Sequence, residues 1–326
     1  MKKLALSLFH FLFISMMLTA CMNPKTGGEN VRTYNFSYDF SEPEIENNTK
    51  TNVYISHEKI GSSFTLVLFL HGSGCGTIEH IHPSSRRYLE DSGAAVMTID
   101  KPGAFTGFKQ IISMIHCSRE YFIYNSPSSR ANAVLSVLKK LKKESLAWNG
   151  ELVIVSAHEG ALAAALVSQR YPVKGIVILG TGDGFSRAKA FKDVSDCLKQ
   201  GKLKCNKYQN SEIMLAAAKK NETTKKINYR GISGHGKWWN EMLSNSLSEM
   251  LRDYTGKLLV LHAKKDTTID VESAEKLVEN LKNSAKSQVD FKVYEDLDGG
   301  FVDSNDKNQK HQVQLDIAKW VNDSLR

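Results

Sequence analysis

The chain has 326 residues and a formal net charge of +8, with 41% hydrophobic and 24% charged residues. These fractions are ordinary for a globular protein and exclude a disordered or low-complexity chain. The length allows one large domain with an insertion, or two modest domains. The positive charge is concentrated: between Ser186 and Arg230 stand twelve Lys/Arg against four Asp/Glu. No aromatic interleaving and no nucleic-acid motif accompanies it, so nucleic acid is not an expected partner. The segment reads as a solvated helical face, or as a surface for anionic lipid or an acidic partner.

In chain order, Lys2 and Lys3 precede an apolar run from Leu4 to Leu18, which closes in Leu18-Thr19-Ala20-Cys21. A basic start, a short apolar core and small residues before a cut describe an export signal over residues 1–20. The run is short for a membrane span, which takes about 20 apolar residues. Leu-Thr-Ala-Cys resembles the lipobox of bacterial lipoproteins. That resemblance implies lipidation of Cys21, a membrane partner through it, and a place in the bacterial cell envelope. Met22 and Asn23 lack the aspartate that retains lipoproteins in the inner membrane, so the outer membrane is favoured in a Gram-negative cell.

Residues 21–50 read as a polar tether and the start of an edge strand around VRTYNFSYDF, with TNVYISHEK as its pairing partner. Residues 51–326 read as one domain. Thiols outside the cytoplasm tend to pair, and Cys75, Cys117, Cys197 and Cys205 allow three pairings. The short Cys197–Cys205 separation favours a local loop there, which leaves Cys75 for Cys117.

From Phe64 onward strands and helices alternate. Near-continuous apolar runs occur at TLVLFL, AAVMTI, LVIV, GIVIL and LLVL, followed by DFKVY. Runs that are apolar on both faces suit strands buried in a parallel sheet. Helical patterns fall at SSRRYLEDSG, SSRANAVLSVLKKLKK, GALAAALVSQRY, VESAEKLVENLKNS and QVQLDIAKWVNDSL. This alternation predicts an α/β fold with a mostly parallel, doubly wound sheet. Residues 186–255 break the rhythm and read as a helical cap, with Trp238, Trp239, Met242, Leu243 and Leu247 on a buried face. Such a cap would cover the carboxyl ends of the strands, where open α/β sheets place ligands.

Six loops leave those ends: HGSGCG, DKPG, SAHEG, GTGDG, KKDTTID and DLDGG. In order and spacing they resemble the loops of the α/β-hydrolase superfamily, particularly its serine aminopeptidase-like and esterase-like members, from Phe64 to Leu325. The resemblance implies an α/β-hydrolase fold and a strand-to-helix turn at Ser156-Ala157-His158-Glu159-Gly160, where relatives carry G-x-S-x-G. Carried across residue by residue, the nucleophile position falls on His158, the acid position on Asp266 and the general-base position on Gly299. An oxyanion pocket would be built around His71, Gly72, Ser73, Glu159 and Gly160, chiefly from backbone N–H groups. A serine nucleophile needs a base and a group to orient that base, and only the acid is kept.

Other motifs read blandly. Ser156 occupies a small-residue position that should not project into the site. Ser186, in a loose G-x-S-x-A match, lies too far beyond the strand end. His80 and His82 fit surface or capping residues better than a metal site, and the glycine loops lack a phosphate-binding pattern. Lys101 and Arg130 read as solvated. Neither a metal nor a cofactor is expected. The expectation is a membrane-anchored lipoprotein that no longer hydrolyses and binds a small molecule or an envelope protein. The alternatives are an active cell-envelope serine hydrolase of esterase, lipase or peptidase type, and an envelope immunity or exclusion factor.

Overall fold

In the computed structural model the apolar runs lie side by side as the centre of an eight-stranded sheet. The structure describes residues 31–38, 49–56, 63–72, 74–76, 78, 89, 94–104, 117–143, 148–184, 216–222, 227–229, 232–267, 269–284, 286–305 and 307–325. The sheet strands are β1 (Val31–Tyr38), β2 (Thr49–Ser56), β3 (Phe64–Leu70), β4 (Ala95–Ile99), β5 (Trp148–Ala157), β6 (Gly175–Leu179), β9 (Lys257–Lys265) and β10 (Val289–Asp298). A short hairpin of β7 (Ile227–Tyr229) and β8 (Ile232–Gly234) stands apart from them.

The strand order is β1-β2-β4-β3-β5-β6-β9-β10. Strand β2 runs antiparallel to both β1 and β4, and the other pairings are parallel. The two N-terminal segments expected to pair are thus β1 and β2, in unbroken register from Val31↔Ser56 to Tyr38↔Thr49. Several strands outrun the apolar runs that announced them. LVIV lies within β5, and LLVL in the first part of β9.

Alternate residues of the central strands feed two cores. On one face Leu66, Leu68, Met97, Leu152, Ile154 and Ile176 pack with helices α2 (Pro127–Lys143), α3 (Gly160–Ser168) and α6 (Val271–Ser284). On the other, Val67, Val96, Val153, Val155 and Val177 meet Val313, Ile317 and Val321 of α7 (Lys310–Leu325). Full burial of each such side chain contributes roughly 1.5–3 kcal/mol, which explains why the central runs are apolar on both faces. A short helix α1 (Arg119–Tyr124), unforeseen in the sequence, begins at Ser118, whose hydroxyl accepts from the Tyr121 N–H at 2.9 Å.

Between β6 and β9 the described elements are β7, β8, α4 (Gly236–Ser244) and α5 (Leu247–Met250). Trp238, Trp239, Met242, Leu243 and Leu247 are buried, as their spacing predicts. Cys75 and Cys117 form a disulfide with Cα atoms 5.5 Å apart, the pairing expected from the sequence. Cys197 and Cys205 lie outside the described residues, as do the leader, Cys21, Ser73, His80, His82, Ser186 and, apart from Leu89, the SSRRYLEDSG run.

Candidate functional site at the carboxyl ends of the strands

A tight turn joins β5 to α3. His158 sits there at φ +48, a left-handed conformation that costs a non-glycine residue roughly 1–2 kcal/mol. Two hydrogen bonds hold it. The His158 N–H donates to the Leu179 carbonyl at 3.0 Å, and the His158 carbonyl accepts from the Ala161 N–H at 3.0 Å. Gly160 is required by close approach, since a Cβ there would lie 2.3 Å from the Leu70 carbonyl oxygen. Ser156 is buried and donates its hydroxyl to the Val177 carbonyl at 2.7 Å. It therefore serves the sheet rather than the site.

The His158 ring fills a slot between two glycines. A Cβ on Gly72 would come within 2.7 Å of the ring Cδ2, and one on Gly180 within 3.1 Å of Cε1. Burial lowers the pKa of this imidazole. The Asp266 charge, a hydrogen bond with the Gly180 backbone and the Glu159 charge oppose that shift without cancelling it. The ring is thus neutral at neutral pH. Among the described residues no serine hydroxyl bonds the rings of His158, His71 or His262.

Asp266 follows β9, is buried, and accepts from the Ile269 N–H through Oδ1 at 3.1 Å. Gly299 lies directly against it. A Cβ on Gly299 would be 2.7 Å from the Asp266 Cγ and 2.8 Å from both carboxylate oxygens. The carboxylate occupies the space into which a side chain at 299 would emerge. The turn around Gly299 is fixed from below by Asp298, whose Oδ1 accepts from the Gly300 and Val302 N–H groups at 2.7 and 3.0 Å. The structure therefore brings His158, Asp266, Gly72 and Gly180 to one corner, with Gly299 behind Asp266.

One residue after His158, the Glu159 side chain turns the other way into a buried polar cluster. Its Oε1 meets the Lys101 Nζ and, at 3.4 Å, the Arg130 Nη1. Its Oε2 accepts from the Trp238 Nε1 at 2.9 Å. Lys101 also donates to the Gly72 carbonyl and lies 5.7 Å from the centre of the Tyr121 ring. The reading of Lys101 and Arg130 as solvated is overturned, for they are 2% and 5% exposed, and Glu159 is 3% exposed. Charges this deep persist only when partnered, and Glu159 is the partner for both.

Burial pulls Lys101 down to about 8 although the Glu159 charge supports it. Burial also pushes Glu159 up, but Lys101 and Arg130 outweigh it and hold the carboxyl below its usual range. The pair is therefore ionised at neutral pH. His71 stands close to this charge, with both ring nitrogens dry and without partners among the described residues. Burial first, then Lys101 and Arg130, keep it neutral.

The cluster was missed because Lys101, Arg130, Glu159 and Trp238 come from four distant segments, and no motif links them. The one available signal was Asp100-Lys101-Pro102-Gly103, a charged pair at a strand end. Asp100 is itself buried and accepts from the Ile78 N–H at 2.8 Å and the Asn52 Nδ2 at 3.0 Å.

Helix α4 is fastened to the same region. Glu241 accepts from the Ser128 N–H at 2.7 Å and from the hydroxyls of Ser128 and Ser126 at 2.6 and 3.2 Å. It thereby satisfies an otherwise orphaned amide in the first turn of α2. The ring of His235, the N-cap of α4, bonds the Asn125 carbonyl at 2.9 Å.

No family model matches the sequence, and no curated protein does either. Solved structures do. A cold-adapted esterase from an Arctic intertidal metagenomic library aligns over 94% of this chain and all of its own, with a TM-score of 0.55 at 13% identity. The esterase domain of a Rhodothermus marinus protein aligns over 91% of this chain and 99% of its own, at 0.56 and 16%. The acylaminoacyl peptidase of Pyrococcus horikoshii matches 92% of this chain with 41% of its own length, at 0.57 and 11%. The chain has the α/β-hydrolase fold.

Proposed function

We propose that this chain is a lipid-anchored binding protein built on a hydrolase scaffold, and that it does not hydrolyse esters or peptides. In this reading His158 stands at the nucleophile position, Asp266 at the acid position and Gly299 at the base position. The observation that carries it is the contact between Gly299 and Asp266: the carboxylate fills the place from which a base would reach the turn. Without a hydroxyl at 158 and a proton acceptor at 299, loss of turnover should be of the order of 10⁶ or more. The strained turn, Gly72 and Gly160 are kept, so a shaped corner remains for a small molecule or for a segment of an envelope protein.

Anchoring rests on Leu18-Thr19-Ala20-Cys21. Purified protein is expected to leave p-nitrophenyl acetate at the rate of a heat-denatured control and to take up no fluorophosphonate probe. Labelling, or hydrolysis abolished by a single serine substitution, would overturn the reading in favour of an active envelope hydrolase. Cells fed a labelled fatty acid are expected to mark the wild-type chain and not Cys21→Ser.

A further inference from the structure

Helix α2 is the most one-sided charged element among the described residues. Its 17 residues hold no acid, and Lys139, Lys140, Lys142 and Lys143, all exposed, stand in its last five positions. Ser136, Lys139, Lys140 and Lys143 line a shallow surface depression of about 460 Å³. At that end of the sheet Lys174 pairs with Glu151 at 3.1 Å, and Lys286 with Asp253 at 3.3 Å.

The topology says where this patch lies. Helix α2 ends at Lys143, five residues before β5 begins at Trp148, so its basic turn sits at the end of the sheet where the parallel strands start. Strand β1 enters the sheet at that same end. Its first residue Val31 pairs with Ser56, the last residue of β2, and Ser56 pairs with Val96, the second residue of β4, so β1 runs in the same direction as β4 and starts level with its beginning. The carboxyl-end corner with His158 is at the opposite end. Only nine residues, 22–30, separate Val31 from Cys21, which reach at most about 30 Å when fully extended.

We propose that the basic turn of α2 is a membrane-facing surface that takes anionic phospholipid headgroups, holding the carboxyl-end corner away from the bilayer. The proposal deepens the anchored reading, since a lipid on Cys21 would keep this end of the sheet within tether reach of the membrane. The patch itself does not need the lipid. Each lysine near an anionic surface favours partitioning by about fivefold, and the lysines act together.

The test uses the unlipidated chain from residue 22 onward, which keeps every described residue, in flotation with phosphatidylcholine vesicles. Vesicles carrying about one third phosphatidylglycerol should bind it, and vesicles of phosphatidylcholine alone should not. Lys139→Gln with Lys143→Gln should lose roughly 25-fold in binding. Lys264→Gln with Lys319→Gln, exposed lysines elsewhere, should lose little. About 0.5 M salt should release the wild type.

Absence of binding to the anionic vesicles, equal binding to neutral ones, or equal losses from both double variants would each overturn the proposal. All these variants replace exposed side chains, and an unchanged circular dichroism melt would confirm their folding. Failure here would leave fatty-acid labelling of Cys21 untouched, and failure of that labelling would leave this result untouched.

Discussion

His158 and Glu159 are neighbours on one turn, yet they have opposite surroundings. The His158 ring faces the carboxyl-end corner from a strained backbone and is held by packing between Gly72 and Gly180. The Glu159 carboxylate is buried, ionised and partnered by Lys101, Arg130 and Trp238. The same turn thus holds one ring at the corner and serves as a structural joint through the next side chain. The outward residue is held by packing, while the inward residue ties the segment after β4, helix α2 and helix α4 to the turn. Stability at this corner should therefore follow residue 159 far more than residue 158.

Glu159→Gln tests that contrast most severely. It leaves Lys101 and Arg130 buried without their counter-charge, and about 3–5 kcal/mol of stability should be lost in urea unfolding at neutral pH. Because the Glu159 carboxyl is held below its usual range, its contribution is present above the ordinary glutamate pKa and vanishes as the pH falls through the folded value. The gap between variant and wild type should then close on acidification. A loss under about 1 kcal/mol at neutral pH would show that the cluster holds little.

The backbone of the turn should be nearly as sensitive. Gly160→Ala drives a methyl into a carbonyl oxygen that cannot move aside, for a loss of about 3 kcal/mol. Gly299→Ala meets a carboxylate that can rotate, and about 1 kcal/mol should suffice. Equal losses at both positions would mean that Asp266 is locked more firmly than its surroundings suggest. Removing the Cys75–Cys117 bridge by a double serine substitution should cost about 3 kcal/mol, read as a lower urea midpoint.

The smallest effect belongs to the outward residue. His158→Gly relieves the left-handed strain and gives up the ring contacts, leaving stability within about 1 kcal/mol of wild type. Its pH dependence is more telling. Burial holds the folded imidazole below 6.5, so as the pH drops through 6.5 the unfolded chain takes up a proton before the folded one does, and stability falls. The variant lacks that penalty and should gain on wild type between about pH 7.5 and about pH 5. A gap that moves the other way would show that Asp266 dominates the ring.

Much of the sheet was legible because burial on both faces leaves a plain mark. Residues such as Val153 and Ile154 face different cores, so neither can be polar, and LVIV results. The β5–α3 turn was legible through Gly160, where close approach to Leu70 admits only glycine. The charged cluster was not, because periodicity assigns lysine and arginine to solvent by default. Only the packed fold brings Lys101, Arg130 and Glu159 within reach of each other. Hairpin β7–β8 and helix α1 were missed for a simpler reason: elements of three and six residues are too short to show a period.

Glu241 has one further consequence. Its carboxylate completes the first turn of a core helix from a position on α4, so the two helices form one joint. Swinging α4 outward would carry that carboxylate away and leave the Ser128 N–H without its acceptor. Any movement of α4 must accordingly break these bonds first.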